Sequence, residues 1–120
     1  MKLKHILYFS LFLISSTLFS QSQLKQTVRG QITDKISAIG LPGVIVRMKN
    51  DSTKKLVTTT DEKGNFKIEG IPVGRRSFIA SYIGYNPIIL NDIIITSGKE
   101  VFLNMELEES LFQKWNIRLY

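Results

Sequence analysis

The chain has 120 residues, enough for one domain and no second core. The hydrophobic set makes up 43% and charged residues 22%, an ordinary globular balance that excludes disordered and fibrous classes. Cysteine is absent and His5 is the only histidine, so disulfides, thiolate metal sites, cysteine nucleophiles and a lipid-modified N-terminal cysteine are excluded together.

Met1 to His5 is basic, Ile6 to Phe19 is apolar and uncharged, and small residues follow at Ser20 and Ser22. This is the pattern of a secretory signal peptide, expected over residues 1–22, with cleavage after Ser22 or, as second choice, after Ser20. An uncleaved anchor is the alternative, but the apolar run falls short of the roughly 20 residues of a membrane span. Removing residues 1–22 leaves 98 residues and lowers the formal charge from +6 to +4. The remaining chain then has neither Cys nor His, which excludes the usual zinc sites and a Ser-His-Asp triad. Lys54-Lys55 and Arg75-Arg76 are the only basic pairs in it, too scattered for a nucleic-acid footprint, so no nucleic-acid partner is expected.

From Thr27 onward the apolar runs are short, rich in Val, Ile, Thr and Phe, and bounded by Gly, Pro, Asn or Asp, the punctuation of strands. The first strand is expected over Thr27–Thr33, with Val28, Gly30 and Ile32 on one face. The second is VIVRMK, with Val44, Val46 and Met48 opposite Ile45, Arg47 and Lys49. The third covers Lys55–Thr60 and the fourth Asn65–Glu69, with Phe66 and Ile68 inward. The fifth, Arg75–Tyr85, has two faces, Phe78/Ala80/Tyr82 and Ile79/Ser81/Ile83, and the pattern does not decide which is buried. The sixth, Ile88–Ile95, is split by Asn91-Asp92, a bulge or a break. In the last, Val101, Leu103, Met105 and Leu107 alternate with polar residues and Phe102. Seven short strands in under a hundred residues predict an all-β, antiparallel two-sheet sandwich.

The turns have local physical reasons. Asp61 can accept hydrogen bonds from backbone N–H groups ahead of it, and Gly64 can take a positive φ, so TTTDEKGNF reads as a hairpin turn. Pro72 fixes φ between Gly70 and Gly74, and Pro42-Gly43 opens the second strand. Gly84 joins Pro42, Gly43, Asp61, Gly64, Pro72 and Gly74 as the expected structural turn residues.

The ordered set VRGQITD (Val28–Asp34), LPGVIV (Leu41–Val46), TTTDEKGNFKI (Thr58–Ile68), IPVG (Ile71–Gly74), FIASYIGY (Phe78–Tyr85) and VFLNMELEE (Val101–Glu109) resembles the carboxypeptidase-regulatory-like domain, a transthyretin-like sandwich. More narrowly it is similar to the copy at the N-terminus of TonB-dependent outer-membrane transporters of the glycan-uptake type. The resemblance covers residues 27–109 and implies a seven-stranded prealbumin-like Greek-key fold after a signal peptide. It also implies periplasmic, outer-membrane-associated placement, protein partners there, and neither catalysis nor cofactor in the domain itself. The chain departs from the transporter pattern at LFQKWNIRLY, so residues 110–120 are expected to form a tail outside the domain. A truncated transporter and a free-standing small protein both remain open.

Other chemistry is weaker. Asp61, Glu62, Gly64 and Asn65 lack the carboxylate count of a calcium loop, and no metal site is expected. Asn50-Asp51-Ser52 matches a glycosylation sequon but reads as a polar loop. Tyr82, Tyr85, Trp115 and Tyr120 could stack on a sugar, with Tyr82 and Tyr85 read first as core and corner residues. Ile45 and Phe102 point to solvent and would form a partner patch if they line up across strands. The expected function is therefore a non-catalytic periplasmic interaction module, with a free-standing carbohydrate- or peptide-binding domain as the alternative. A transthyretin-related hydrolase would need histidines that the processed chain lacks.

Overall fold

The computed structural model describes residues 2–15 and 23–111. Lys2–Ser15 forms helix α1, which takes in Lys2, Lys4 and His5 and the uncharged residues from Ile6 to Ser15. Among the described residues no helix is long and apolar enough to cross a membrane.

From residue 23 to residue 110 the described chain is strands, bridges and turns. β1 (Lys25–Asp34), β2 (Ile45–Met48), β3 (Val57–Thr59), β4 (Asn65–Pro72), β5 (Gly74–Ser81), β6 (Ile88–Ile95), β7 (Val101–Phe102) and β8 (Met105–Leu107) make two four-stranded sheets. In the first, β1 lies between β4 and the β7–β8 pair; the second has the order β3-β2-β5-β6. The alternating apolar residues meet between the sheets: Val28 and Ile32, Val46 and Met48, Phe66 and Ile68, Phe78 and Ala80, and Leu103, Met105 and Leu107 are all buried. The fifth strand therefore turns its Phe78/Ala80 side inward and leaves Ile79 on the outer face.

The sandwich is all-β as expected, with eight strands among the described residues instead of seven. The last expected strand divides at Leu103-Asn104. β7 and β8 keep one register against β1, Val28 opposite Val101 and Ile32 opposite Met105. Between them the Gln31 N–H is taken at 3.1 Å by the Asn104 side-chain oxygen, so an amide side chain replaces a rung of the ladder. Both strands run parallel to β1, while every other strand pairing is antiparallel. The purely antiparallel expectation is corrected there. Alternation along a strand reports which face is buried and carries no information on the direction of its neighbour.

Details of β5, β4 and β6 also add to the expectation. β5 stops at Ser81, because Tyr82 to Tyr85 closes a turn through a 3.1 Å bond from the Tyr85 N–H to the Tyr82 carbonyl, with Gly84 at φ 85°. β4 runs on past Glu69 to Pro72 through a bulge: β1 advances from Gln26 to Val28 while β4 moves from Ile71 to Ile68. Gly70, at φ 77°, supplies the left-handed residue that such a bulge needs. In β6 the Asn91-Asp92 interruption is a bulge, not a break: Arg76 pairs with Ile93 and Phe78 with Leu90, leaving an extra residue on β6 and Asp92 at φ 59°.

Candidate functional site

The most organised polar group lies where β1 ends. The Asp34 side chain points back into the sandwich, and the chain from Lys35 to Ala38 folds around it. Its Oδ1 accepts N–H bonds from Ile36 at 2.8 Å and Ser37 at 2.9 Å, and its Oδ2 accepts the Tyr85 hydroxyl at 2.8 Å. The Ser37 N–H above all, then the Tyr85 hydroxyl and the Ile36 N–H, hold the carboxyl down at about 2, against an ordinary 3.8. Hydrogen bonding to Asp34, aided by burial, raises the Tyr85 phenol from 10.0 to about 12. The Tyr82 and Tyr85 rings stand 5.5 Å apart at 38°, both half-buried against the core. All of Asp34's bonds are internal, so the group braces the β1 end to the turn after β5 and presents no free acid or base. Beside it the Ser110 N–H donates to the Gly84 carbonyl at 2.8 Å, so main-chain pairing extends to Ser110, one residue beyond the expected domain end.

The expected turn residues fall into two kinds. Asp61 accepts the N–H groups of Lys63 and Asn65 on Oδ1, both at 2.9 Å, and Gly64 sits at φ 81°. A Cβ on Gly64 would come 2.3 Å from the Ile32 carbonyl oxygen, so both φ and space demand glycine. This turn is not a hairpin, however, because β3 and β4 belong to different sheets. It carries the chain across the sandwich, and Pro72 and Gly74 do the same from β4 to β5. Gly43, at φ 82°, sits in the turn whose far side is tied by buried Thr60, whose hydroxyl donates to the Leu41 carbonyl and accepts the Val44 N–H. Pro42 lies exposed in that turn.

Sequence reading did not single out Gly30 or Gly40. A Cβ on Gly30 would lie 1.7 Å from the Leu103 carbonyl oxygen, and one on Gly40 would lie 2.0 Å from that of Lys63. A crowded glycine looks no different in sequence from one in open solvent.

The sequon loop is organised by Asp51, whose carboxylate accepts from Thr53 O–H and N–H and from Leu56 N–H. These bonds, the Thr53 hydroxyl foremost, lower its pKa. Asn50 is exposed at φ 61°. Among the described residues no three His, Asp or Glu side chains gather to hold a metal. Trp115 and Tyr120 lie outside the described residues.

Three surfaces remain as candidates. An open groove of about 620 Å³ runs between Asn86–Ile88 and the outer side of β1 and β8, lined by Gln31, Lys35, Asn104 and Glu106 among others. The outer face of the first sheet is charged but internally neutralised. Arg29 pairs with Glu100 at 2.9 Å, Lys67 with Glu69 at 2.9 Å and Lys35 with Glu108 at 3.6 Å. Phe102 stands on this face with the Arg29 guanidinium 6.0 Å from its ring centre. Ile45 lies on the opposite outer face, so the two do not line up as one patch; Ile45 is joined there by Val57, Ile79 and Ile89.

This architecture defines a two-sheet β-sandwich with packed turns and a braced strand end. The chain belongs to the carboxypeptidase regulatory-like domain family, whose pattern matches residues 27–108. No curated protein sequence matches it. Among solved structures it is similar to a type II cohesin–X-dockerin complex of Acetivibrio cellulolyticus, at 19% identity and TM-score 0.56 over 67% of this chain and 52% of that one. It is also similar to BcpA, the major pilin subunit of Bacillus cereus, at 17% identity and TM-score 0.54 over 72% and 31%. A third is 3-chlorocatechol 1,2-dioxygenase of Rhodococcus opacus, at 14% identity and TM-score 0.56 over 77% and 62%. The chain spans less than two thirds of each of these proteins, and the likeness is one of fold.

Proposed function

We propose that this chain is a non-catalytic interaction module, exported by a signal peptide over residues 1–22 and belonging to, or derived from, the N-terminus of a TonB-dependent outer-membrane transporter. The family match, which spans the sandwich from Thr27 to Glu108, carries this reading. The transporter context rests on the resemblance of the ordered motifs from VRGQITD to VFLNMELEE, with SYIGY their most telling member. Similar folds in a pilin subunit and a cohesin–X-dockerin complex support a role in binding other proteins. The bonds of Asp34 and Tyr85, all spent on bracing the fold, agree with a module that positions a partner instead of transforming a substrate.

The test is a tagged full chain expressed in its own host. Recovery from the periplasm or outer membrane, shortened at its N-terminus and co-purifying with an outer-membrane transporter, supports the reading. Retention in the cytoplasm overturns it. A second reading, a free-standing periplasmic domain for a carbohydrate or peptide, is favoured by the groove beside Gln31 and Asn104, which sets polar side chains next to Pro87, Ile88 and Leu90. Glycan-array binding lost on Asn104→Ala, with no transporter recovered, would select it.

A further inference from the structure

We propose that the outer face of the β3-β2-β5-β6 sheet docks an acidic polypeptide, one whose contacting side carries apolar side chains beside carboxylates. The proposal rests on the interaction-module reading and adds which face engages and what chemistry meets it.

The strand register places Val57 opposite Arg47, Arg47 opposite Ile79 and Ile79 opposite Ile89, a single row straight across four strands. Val57 is 46% exposed, Ile89 48% and Ile45, beside the row, 47%. One strand end further on, Arg75 stands opposite Ile94, and both are exposed. Isolated exposed apolar residues are ordinary, but a registered row of them on one face marks a contact surface.

Charge identifies the occupant. On the first sheet each of Arg29, Lys35 and Lys67 faces a carboxylate of this chain. On the second sheet, among the described residues, neither Arg47 nor Arg75 makes an ion pair. The one carboxylate in these four strands, Asp92, sits in the β6 bulge, its own N–H turned to the Ser77 hydroxyl. Unpaired cations set among apolar side chains are complemented by carboxylates set among apolar side chains. A second copy is disfavoured because its own equivalent face carries the same unpaired arginines and no carboxylate in these strands but Asp92. A lipid surface is disfavoured because the apolar groups lie flat in the sheet instead of on a projecting tip.

The test places a photo-crosslinking p-benzoylphenylalanine at position 45, 89 or, for contrast, 102 in the full chain, irradiates cells and sequences the adducts. Adducts from 45 and 89 to a carboxylate-rich polypeptide support the proposal if their yield falls about tenfold, the ratio that one lost close charge contact represents, in both Arg47→Glu and Arg75→Glu. Two single variants guard against one that folds poorly, and each must keep the parent's circular dichroism. Protein adducts from 102 alone would overturn this face and leave the interaction-module reading standing. Adducts to lipid, to a second copy, or to a polypeptide at a yield indifferent to either arginine overturn the docking proposal. Silence at all three positions overturns both.

Discussion

At the residue scale, Gly64 and Gly70 separate two reasons for being glycine. Both have positive φ, at 81° and 77°, but nothing lies within 4 Å of a Cβ built on Gly70, whereas one on Gly64 meets main-chain atoms of Ile32, Gly40 and Leu41. Gly70→Ala should therefore cost only the left-handed backbone term, about 1 kcal/mol. Gly64→Ala adds displacement of a packed main chain and should cost about 2–4 kcal/mol. Urea unfolding of the two variants checks the order. The Asp34–Tyr85 pair predicts a pH profile. Because folding lowers the Asp34 pKa, its stabilisation is complete above 3.8 and is lost as pH falls towards about 2. Folding raises the Tyr85 pKa, so its contribution is complete below 10.0 and lost as pH rises towards about 12. Tyr85→Phe should lower the melting temperature at neutral pH, flatten the alkaline loss and weaken the acid one. Melting curves from pH 2 to 12 test this.

At the element scale, the strands were legible because each buries alternate residues against the other sheet, and period two is written in the residues themselves. The inward sets of β2, β4 and β8 follow directly from it. Sheet membership was not legible. The Asp61–Asn65 turn has the same local bonds whether it closes a hairpin or crosses the sandwich, so only distant pairing decides. The division at Leu103-Asn104 was hidden too, since apolar alternation continues through it while the hydrogen bonding changes hands. Asn104→Ala should free the Gln31 N–H to solvent, cost about 0.5–1 kcal/mol and speed the exchange of that amide with little change elsewhere. Amide exchange followed residue by residue decides this. The braced corner was half legible: Tyr85 was read as a corner residue, but its partner Asp34 lies 51 positions away and carries no mark of the pairing.

At the scale of the whole molecule, the N-terminal helix and the sandwich have different physical signatures. Residues 2–15 form a helix with a basic first turn and an uncharged remainder, and the domain from Lys25 is built of strands. Export should yield a chain beginning at Gln21 or Gln23. Intact-mass measurement of protein recovered outside the cytoplasm tests it, and a mass that retains Met1 to Phe19 counts against it. The candidate surfaces belong to this scale as well. Ile45 and Phe102 were each recognised as outward-facing, but their separation onto opposite faces, one neutralised and one cationic, depends on register between strands far apart in the chain.

The parallel pairing of β1 with β7 and β8 has a mechanical consequence. The chain enters β1 at Lys25 and leaves β8 at Leu107, the residue paired with the far end of β1 at Asp34. Tension applied through the two ends therefore pulls these neighbouring strands past each other along their length. The evenly spaced bonds of a parallel ladder share such a load and must yield together, whereas a ladder pulled from one end opens bond by bond. Single-molecule stretching between residues 25 and 110 should accordingly need a markedly higher force than stretching between positions 74 and 95, which peels β6 from β5 at the Gly74–Ile95 pair. Linked into a longer chain through its two ends, the sandwich would hold its shape under strain along that line.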